Sequence, residues 1–322
     1  MLNKLITFEE LNDNHFIQLH QWLQVSHVRE FWDDGDRTLE QVKSHYSFEK
    51  GVKRYLFFID SNPGGYLQSY VIDRNNEYYD FSLADKENMG IDFFIGNESL
   101  LGKGLAIHIL AEFVLSHCQD IARLIVDPKP SNNKAIHIYE KYGFTKVGEL
   151  IVENQNHLIM AINLRRTVRA IVFNKKHEIL LMHVMGGPTK KTDQSFWCTL
   201  GGRIEKNETI EETLKRELQE EAGVTELENY QLIAFGEQVL KWNNFPTRLI
   251  EKIYAVHVES VQLHATNLTE EESEIIKEYR WWDISDLSST HETIYPGCLA
   301  TLADEYINKN EIAWVVREID LN

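Results

Sequence analysis

The chain has 322 residues, a length that suits two compact domains better than one, and 43% of its residues are hydrophobic. Its 33 Lys and Arg face 50 Asp and Glu, giving a net charge of −17 that is spread over both halves. This charge excludes sequence-independent nucleic-acid binding, which needs a basic surface. No apolar run approaches the length of a membrane span, and the acidic N-terminus does not fit a signal peptide. We therefore expect a cytoplasmic protein with no membrane or nucleic-acid partner.

The first predicted element is a helix over residues 15–31, where apolar side chains recur on one side. Trp32 follows this helix and is flanked by Asp33 and Asp34. Two interpretations of Trp32 are equally good. It is either the wall of a pocket for a polar cation, or a core aromatic beside surface acids.

A β-hairpin and then a strand–loop–helix unit come next along the chain. Residues 54–59 and 66–72 are rich in β-forming side chains, and a Pro-Gly-Gly segment separates them. A short strand at 90–95 leads through the glycines of 101–104 to a helix over 105–118. Such a glycine loop at a helix N-terminus directs free backbone N–H groups towards a phosphate.

Three sequence motifs follow one another in this half of the chain, and their order is informative about function. They are Leu-Gly-Lys-Gly-Leu (101–105), Asp-Pro-Lys-Pro-Ser-Asn-Asn (127–133) and Ala-Ile-His-Ile-Tyr-Glu-Lys-Tyr-Gly-Phe (135–144). The order resembles the GNAT N-acetyltransferases, and within them the aminoglycoside 6′-N-acetyltransferases. The resemblance covers nearly all of residues 1–165, although Ser99 stands where the family usually has Arg or Gln. It implies a mixed central sheet with flanking helices and acetylation of a small cationic amine by acetyl-CoA.

The same resemblance implies roles for individual residues. Asp92 would be the catalytic base, Tyr139 the general acid, and Trp32 and Asp127 would bind the substrate. Acetyl-CoA would be bound by Leu101, Gly102, Lys103, Gly104, Leu105, Ala106 and Asn132. From the residues alone, Asp92 lies in an apolar strand where an idle carboxylate is costly, which favours a functional role. Tyr139 lies on an apolar helix face and is as well suited to a core as to catalysis.

In the second half, a helix is predicted to begin at Thr209, which forms a capping box with Glu212, and to end at Gly223. Carboxylates separated by three and four residues lie on one side of this helix, at the edge of its buried face. They are Glu217, Glu220 and Glu221. Like charges crowded together favour a bound cation, and oxygen ligands favour Mg²⁺ or Mn²⁺.

The complete spacing is Gly-x5-Glu-x7-Arg-Glu-Leu-x-Glu-Glu-x-Gly-Val over residues 202–224, and it resembles the Nudix hydrolase signature. The resemblance implies an α/β/α sandwich with a mixed sheet, and Mg²⁺-dependent hydrolysis of a nucleoside diphosphate linked to another group. The three carboxylates would hold the metal, and Glu221 would also be catalytic. Glu208 would brace the loop or complete the metal shell, and Arg216 would orient the carboxylates.

Later residues of this half leave several roles open. An acidic segment before the Trp-Trp pair offers candidate bases for the attacking water, although it equally fits a mobile acidic loop. The candidates are Glu271, Glu272 and Glu274. Aromatic side chains that would either stack on a base or belong to the core are Phe196, Trp197 and Trp242.

We therefore expect a two-domain α/β (α+β) chain, with an acetyltransferase domain at 1–165 and a Nudix domain at 166–322. Its partners would be a small amine and a nucleotide-type diphosphate. Two alternatives remain: the acceptor is a siderophore, polyamine or protein amine, or one domain only senses a ligand. The oligomeric state and any coupling of the two activities are not predicted.

Overall fold

The computed structural model describes residues 5–32, 35–47, 49–152, 154–186, 195–224, 227, 229–259, 270–309 and 317–319, without the side chains of 270–272 and 317. The chain divides into two compact units, Met1–Asn163 and Leu164–Asn322, called here the N-terminal and C-terminal units. None of the helices in these described ranges is long and apolar enough to cross a membrane.

The N-terminal unit alternates helices and strands. Its helices are α1 (Phe16–Leu23), α2 (Ser26–Arg29), α3 (Leu39–His45), α4 (Leu105–His117) and α5 (Asn133–Tyr142). Its strands are β1 (Ile6–Glu10), β2 (Val52–Ile59), β3 (Asn62–Val71), β4 (Asn88–Ile95), β5 (Arg123–Val126), β6 (Thr145–Val152) and the first part of β7 (Gln155–Phe173).

Strands β1 to β4 form an antiparallel meander, and β4 then pairs in parallel with β5. The chain makes this parallel connection through α4, as a parallel pair requires a long crossover. Strand β7 pairs antiparallel with β5 and β6. The parallel register aligns Gly90 with Ile125, so Asp92 within β4 lies beside Asp127, the residue that follows β5.

Apolar side chains hold helices against this sheet. Phe113 of α4 is fully buried, and its ring centroid lies 5.3 Å from that of Phe8 on β1. A second buried cluster joins Leu19 of α1 and Val42 of α3 to Tyr66 of β3. Burying side chains of this size contributes about 1.5–3 kcal/mol each, which fixes the helices that border the cavity described below.

The C-terminal unit begins within β7. Its further strands are β8 (Ile179–Met185), β9 (Ser195–Cys198), β10 (Asn229–Trp242), β11 (Phe245–His257), β12 (Ile276–Trp282), β13 (Ile294–Tyr295) and β14 (Arg317–Glu318). Its helices are α6 (Ile210–Ala222), α7 (Glu270–Ile275), α8 (Ile284–Ser289) and α9 (Leu299–Asn308).

Two apolar layers enclose the sheet of this unit, which mixes antiparallel pairs with the parallel pairs β9–β13 and β10–β14. Side chains alternate across β7, as the twofold period of a strand requires. Ala170 and Val172 pack on the side of α6, whereas Ile171 and Phe173 pack on the side of α8 and α9. This is the α/β/α sandwich expected from the sequence, and the fold class is confirmed for both units.

Local differences from the sequence-based expectations have simple causes. The helix predicted over 15–31 is interrupted at Val25, which has extended backbone angles (φ −79°, ψ 144°) and separates α1 from α2. The hairpin loop is only Asp60 and Ser61, both with positive φ, which is the geometry of a two-residue turn that matches strand twist. The predicted acidic loop is in part helical, because Glu270–Ile275 forms α7.

Removing the N-terminal cap of α6 should destabilise that helix alone. The Thr209 hydroxyl accepts from the Glu212 amide at 3.2 Å, and the Glu212 carboxylate accepts from the Thr209 amide at 2.7 Å. We expect Thr209→Ala to cost about 1 kcal/mol and to speed hydrogen exchange in α6 peptides, measured by mass spectrometry. The matched control is Thr38→Ala, which removes the capping box of α3 and should speed exchange in α3 only. Unchanged exchange in α6 of the Thr209 variant would contradict this account.

Candidate active sites

A cavity of about 1220 Å³ lies in the N-terminal unit. Its wall combines the end of α2, strands β3 and β4, the glycine loop before α4, and helix α5. Every residue predicted for this site lines it except Lys103. The lining residues are Trp32, Asp92, Leu101, Gly102, Gly104, Leu105, Ala106, Asp127, Asn132 and Tyr139.

Asp92 lies on β4 opposite Gln68 of β3 in the antiparallel register. The Gln68 side-chain amide donates to Asp92 Oδ2 at 3.0 Å, and the Tyr66 hydroxyl donates to Gln68 Oε1 at 3.0 Å. Tyr66 is fully buried and therefore fixes the amide orientation of Gln68. The result is a carboxyl group held in one direction within the cavity wall.

Asp127 follows the end of β5 and is surrounded by hydrogen-bond donors. Its Oδ2 accepts from the Tyr78 hydroxyl at 2.7 Å and lies 3.0 Å from His157 Nδ1. The same His157 nitrogen lies 2.7 Å from the Asp127 carbonyl oxygen. Because both neighbours of His157 Nδ1 are acceptors, this nitrogen carries a proton. The hydrogen bond to Asp127 raises the pKa of His157 above its usual value.

The two carboxyl groups share one environment. Burial raises the pKa of Asp92 to about 8, the adjacent Asp127 adds to the shift, and the Gln68 hydrogen bond opposes it. Because like charges close together repel, the neighbouring Asp127 favours the protonated form of Asp92. Tyr78 and His157 both contact Asp127 Oδ2, whereas burial favours the protonated form of Asp92.

Tyr139 of α5 is 7% exposed and packs against Phe93 and Phe144, with ring centroids 6.3 and 5.5 Å away. Burial and the charges of Asp92 and Asp127 raise its pKa, so the phenol keeps its proton. It is thus a core residue that also lines the cavity, with its phenol protonated.

Trp32 likewise packs in the core and lines the cavity. Its indole N–H donates to the Tyr46 hydroxyl at 2.8 Å, and its ring centroid lies 5.0 Å from that of Phe94 and 5.6 Å from that of Tyr66. The ring packs partly against the core of α1 and α3 and partly lines the cavity. Asp33 and Asp34 lie outside the described residues.

The glycine loop ends at the N-terminus of α4. Gly102 and Gly104 have positive φ of 70° and 71°, and Gly104 is the N-cap residue, without a side chain that could cap the helix. The first amides of α4 therefore lack an internal partner and border the cavity. At the start of α5, Asn132 uses its side-chain oxygen to accept from the Ala135 amide at 3.1 Å.

In the C-terminal unit, Arg216 binds several carboxylates of the predicted motif. Its Nη1 lies 2.8 Å from Glu217 Oε1 and 3.2 Å from Glu220 Oε2, and its Nε lies 2.7 Å from Glu208 Oε1. Glu208 also accepts from the Thr213 hydroxyl and the Glu205 amide, so it holds the loop before α6. These hydrogen bonds lower the pKa of Glu208 to about 2, with Arg216 as the largest cause.

Two carboxylates of the predicted motif, Glu217 and Glu221, are buried. Glu217 is 7% exposed and Glu221 5% exposed, and burial raises the pKa of Glu217. Glu221 Oε2 accepts from the Gly201 amide at 2.7 Å. A Cβ atom at Gly202 would lie 2.3 Å from Glu217 Oε1, so this glycine is required by the close approach of the carboxylate.

These positions bear on metal binding. Among the described side chains, no three His, Cys, Asp or Glu converge in a geometry that could hold a metal ion. Arg216 donates hydrogen bonds to Glu217 and Glu220, and the Gly201 amide donates one to Glu221. The donor set nevertheless fits a hard divalent cation, because it consists of carboxylate oxygens, with Gly202 leaving room beside the Glu217 carboxylate.

Sequence reasoning missed residues in both units. Gln68, Tyr78 and His157 hold the acid pair of the N-terminal unit, and only strand register and loop placement bring them there. In the C-terminal unit, the buried Glu251 of β11 accepts from the Thr167 hydroxyl at 2.8 Å and from Arg169 Nε at 3.1 Å. Arg169 in turn donates to the Gly201 carbonyl at 2.7 Å, beside the amide that binds Glu221.

The candidates left open in the later segment separate in the structure. Trp197 is 1% exposed and packs edge-on against Trp282, so it belongs to the core, and Phe196 packs against Tyr295. Trp242 is half-buried. The Glu274 side chain is exposed, and the side chains of Glu271 and Glu272 lie outside the described part of the chain.

Comparison with known proteins matches each half to a family. Residues 12–152 match the acetyltransferase (GNAT) domain model, and residues 163–301 match the NUDIX domain model. The chain is 31% identical over 154 residues to aminoglycoside N(6′)-acetyltransferase type 1 of Klebsiella pneumoniae, covering 45% of this chain and 77% of that protein. It is 41% identical over 61 residues to a kanamycin resistance protein of Rhizobium radiobacter, covering 18% of this chain and 56% of that protein.

A further relative is the 8-oxo-dGDP phosphatase NUDT18 of Danio rerio, 28% identical over 133 residues. That match covers 41% of this chain but only 36% of the relative. Together the matches confirm both resemblances drawn from the sequence. The chain belongs to the GNAT acetyltransferase family through residues 12–152, and it joins to that domain a Nudix hydrolase domain over residues 163–301.

Proposed function

We propose that the N-terminal unit transfers an acetyl group from acetyl-CoA to a primary amine of a small polycation, the 6′-amine of an aminoglycoside. The observation that carries this proposal is the Asp92–Asp127 acid pair in a cavity that also reaches the N-terminus of α4. Paired acids attract an ammonium group and offer a base for its proton. The relative from Klebsiella, named as an aminoglycoside N(6′)-acetyltransferase, supports the choice of acceptor.

The cofactor is proposed to bind along the glycine loop. The free amides at the start of α4 suit the pyrophosphate of CoA, and Lys103 adds a positive charge. The residues proposed to contact it are Leu101, Gly102, Lys103, Gly104, Leu105, Ala106 and Asn132. When bound, acetyl-CoA supplies the thioester whose carbonyl carbon the amine attacks.

The acid pair and Tyr139 account for the proton transfers. Asp127, which accepts from Tyr78 and lies beside His157, receives the ammonium group, and Trp32 forms the apolar wall beside it. Asp92 in its ionised form, which its raised pKa of about 8 places at mildly alkaline pH, accepts the proton that the nitrogen loses as the N–C bond forms. The C–S bond breaks, and the Tyr139 phenol, which is protonated before the reaction because its pKa is raised, donates its proton to the departing sulfur.

For the C-terminal unit we propose Mg²⁺- or Mn²⁺-dependent hydrolysis of a nucleoside diphosphate linked to another group. Glu217, Glu220 and Glu221 would hold the metal, with Glu221 also catalytic, while Arg216 and Glu208 position them. The metal would polarise the phosphate and offset the charge that develops as water attacks. Both reactions are proposed for the cytoplasm, where acetyl-CoA and nucleotides are available.

Replacing the proposed base should remove acetyl transfer without unfolding the protein. With acetyl-CoA and kanamycin, we expect Asp92→Asn to slow CoA release by about 10²–10⁴-fold, measured with a thiol reagent. In the wild type, folding raises the pKa of Asp92 to about 8, so the folded state is stabilised by binding a proton that the unfolded chain has already lost. This contribution to stability is lost as pH rises through about 8 and the buried carboxyl group ionises. The variant should therefore gain in melting temperature, relative to the wild type, between pH 6 and pH 9.

The same assay separates the possible acceptors. If kanamycin fails to accelerate CoA release by the wild type while spermidine or a hydroxylamine does, the aminoglycoside proposal is wrong and another amine is the acceptor. If none of the amines accelerates CoA release, a ligand-sensing role remains for this unit.

His157 should act on the pH profile rather than on the chemistry itself. Its positive charge beside Asp127 opposes the raised pKa of Asp92, so His157→Gln should raise that pKa further. We expect the acidic limb of kcat/KM for acetyl transfer to move upwards by about 1 pH unit. His108→Gln is the control, because His108 is exposed on α4 and lies outside the cavity wall. An unchanged acidic limb in the His157 variant would exclude this effect.

Loss of one proposed metal ligand should stop hydrolysis in the C-terminal unit. A screen of nucleoside diphosphate derivatives with Mg²⁺ identifies the substrate by release of a phosphate-containing product. We expect Glu221→Gln to reduce this rate by at least about 100-fold, since a metal contributes several kcal/mol. Glu211→Gln is the control, because Glu211 lies on the exposed side of α6 and pairs with Lys215. Full activity of the Glu221 variant would contradict the metal assignment.

A further inference from the structure

Three side chains at alternate positions of β7 point to one face of the strand, and only two of them have a buried partner. Thr167 and Arg169 both donate to Glu251. Arg165 begins the row, and its Nε is buried without a hydrogen-bond partner among the described residues. A guanidinium group that is partly removed from water and lacks an acceptor is costly, so an acceptor from a ligand would be stabilising.

Arg165 lies beside the loop that leads into α6. Thr167 is bridged to Arg203, and the Ile204 amide donates to the Arg166 carbonyl at 3.0 Å, which sets Arg165 opposite Glu205. Burial lowers the pKa of Arg165 to about 10, and the positive charges of Arg169 and Arg203 add to this effect. Glu217 and Glu205 oppose it. Arg165 therefore lies beside the loop that leads into the helix of the proposed metal ligands, together with the cations Arg169 and Arg203.

Trp242 at the end of β10 supports the guanidinium from one side. The Arg165 Cζ atom lies 4.1 Å from the centre of the Trp242 ring. Stacking uses the face of the guanidinium and leaves the N–H groups at its edge available for hydrogen bonds. Those N–H groups match the oxygens of a phosphate, which they can bind in pairs.

Of the acids nearby, Glu205 is exposed, and the others bind other donors. Glu217 and Glu220 bind Arg216, Glu221 binds the Gly201 amide, and Glu251 binds Thr167 and Arg169. Arg165 is thus a cation beside the motif whose buried Nε has no acceptor among the described residues.

We propose that Arg165, held by Trp242, binds a phosphate group of the diphosphate substrate in the C-terminal unit. The proposal rests on the proposed Nudix function and adds a residue to it, in a position that the signature motif does not include. It also assigns Trp242 a role as the platform for Arg165, instead of the base-stacking role left open by the sequence.

Binding is measured by calorimetry on the full chain with Mg²⁺, using two ligands that resist hydrolysis. One is α,β-methylene-ADP, and the other is methylenediphosphonate, which has no nucleoside. We expect Arg165→Met to lower the affinity for both ligands by about 10-fold or more, because charged hydrogen bonds to the phosphate are lost. Arg165→Lys should recover only part of the affinity, because it keeps the charge but loses the planar pair of donors.

Arg280→Met is the matched control. Arg280 also stacks on tryptophan, 4.6 Å from the Trp197 ring, but it pairs with Glu278 away from the motif. Its variant should bind both ligands within about twofold of the wild type. Melting temperatures establish that each variant is folded. If Arg165→Met is unfolded, the affinity of Arg165→Lys is compared with the wild type instead.

Three results would overturn the proposal. Unchanged affinity of both Arg165 variants, with normal binding by the wild type, would remove Arg165 from the site while leaving the Nudix function intact. A loss for α,β-methylene-ADP alone would mean that Arg165 contacts the nucleoside and not the phosphate. If the wild type neither binds these ligands nor hydrolyses any diphosphate, both the proposal and the Nudix function fail.

Discussion

The contact between Asp92 and Asp127 is the constraint on which the acetyltransferase site depends. Burial raises the pKa of Asp92, and repulsion from Asp127 adds to it, since two unit charges about 4 Å apart repel by about 4 kcal/mol near a protein surface. The parallel register of β4 and β5 forces them together. Tyr78 and His157 contact Asp127, while burial favours the protonated form of Asp92 against the opposing hydrogen bond from Gln68.

The C-terminal unit meets the same problem by a different solution. Its crowded carboxylates are compensated by arginines: Arg216 bridges Glu208, Glu217 and Glu220, and Arg169 pairs with Glu251. Charge compensation of this kind holds the side chains in place before any metal arrives. A cation would then exchange with Arg216 for the oxygens of Glu217 and Glu220, while Glu208 continues to anchor the arginine.

The sequence predicted those features that depend on residues close together in the chain. Thr209, Glu212 and Gly223 define α6 through local hydrogen bonds, and the structure has all of them. The partners of Asp127 could not be found in this way, because Tyr78 and His157 are distant in sequence and meet it only through the fold. The same holds for Glu251, whose role depends on the pairing of separate strands. Local patterns thus locate the reacting groups, and tertiary packing selects the groups that tune them.

The most direct test of this account is a titration of aspartate side chains by NMR, with ¹³C-labelled aspartate in the full chain. The account predicts one carboxyl signal with a midpoint near pH 8, the raised pKa of Asp92, and loss of that signal in Asp92→Asn. If every aspartate signal instead titrates below about pH 5, as unperturbed carboxyl groups do, the raised pKa of Asp92 is contradicted, and with it the acid pair as the basis of the site.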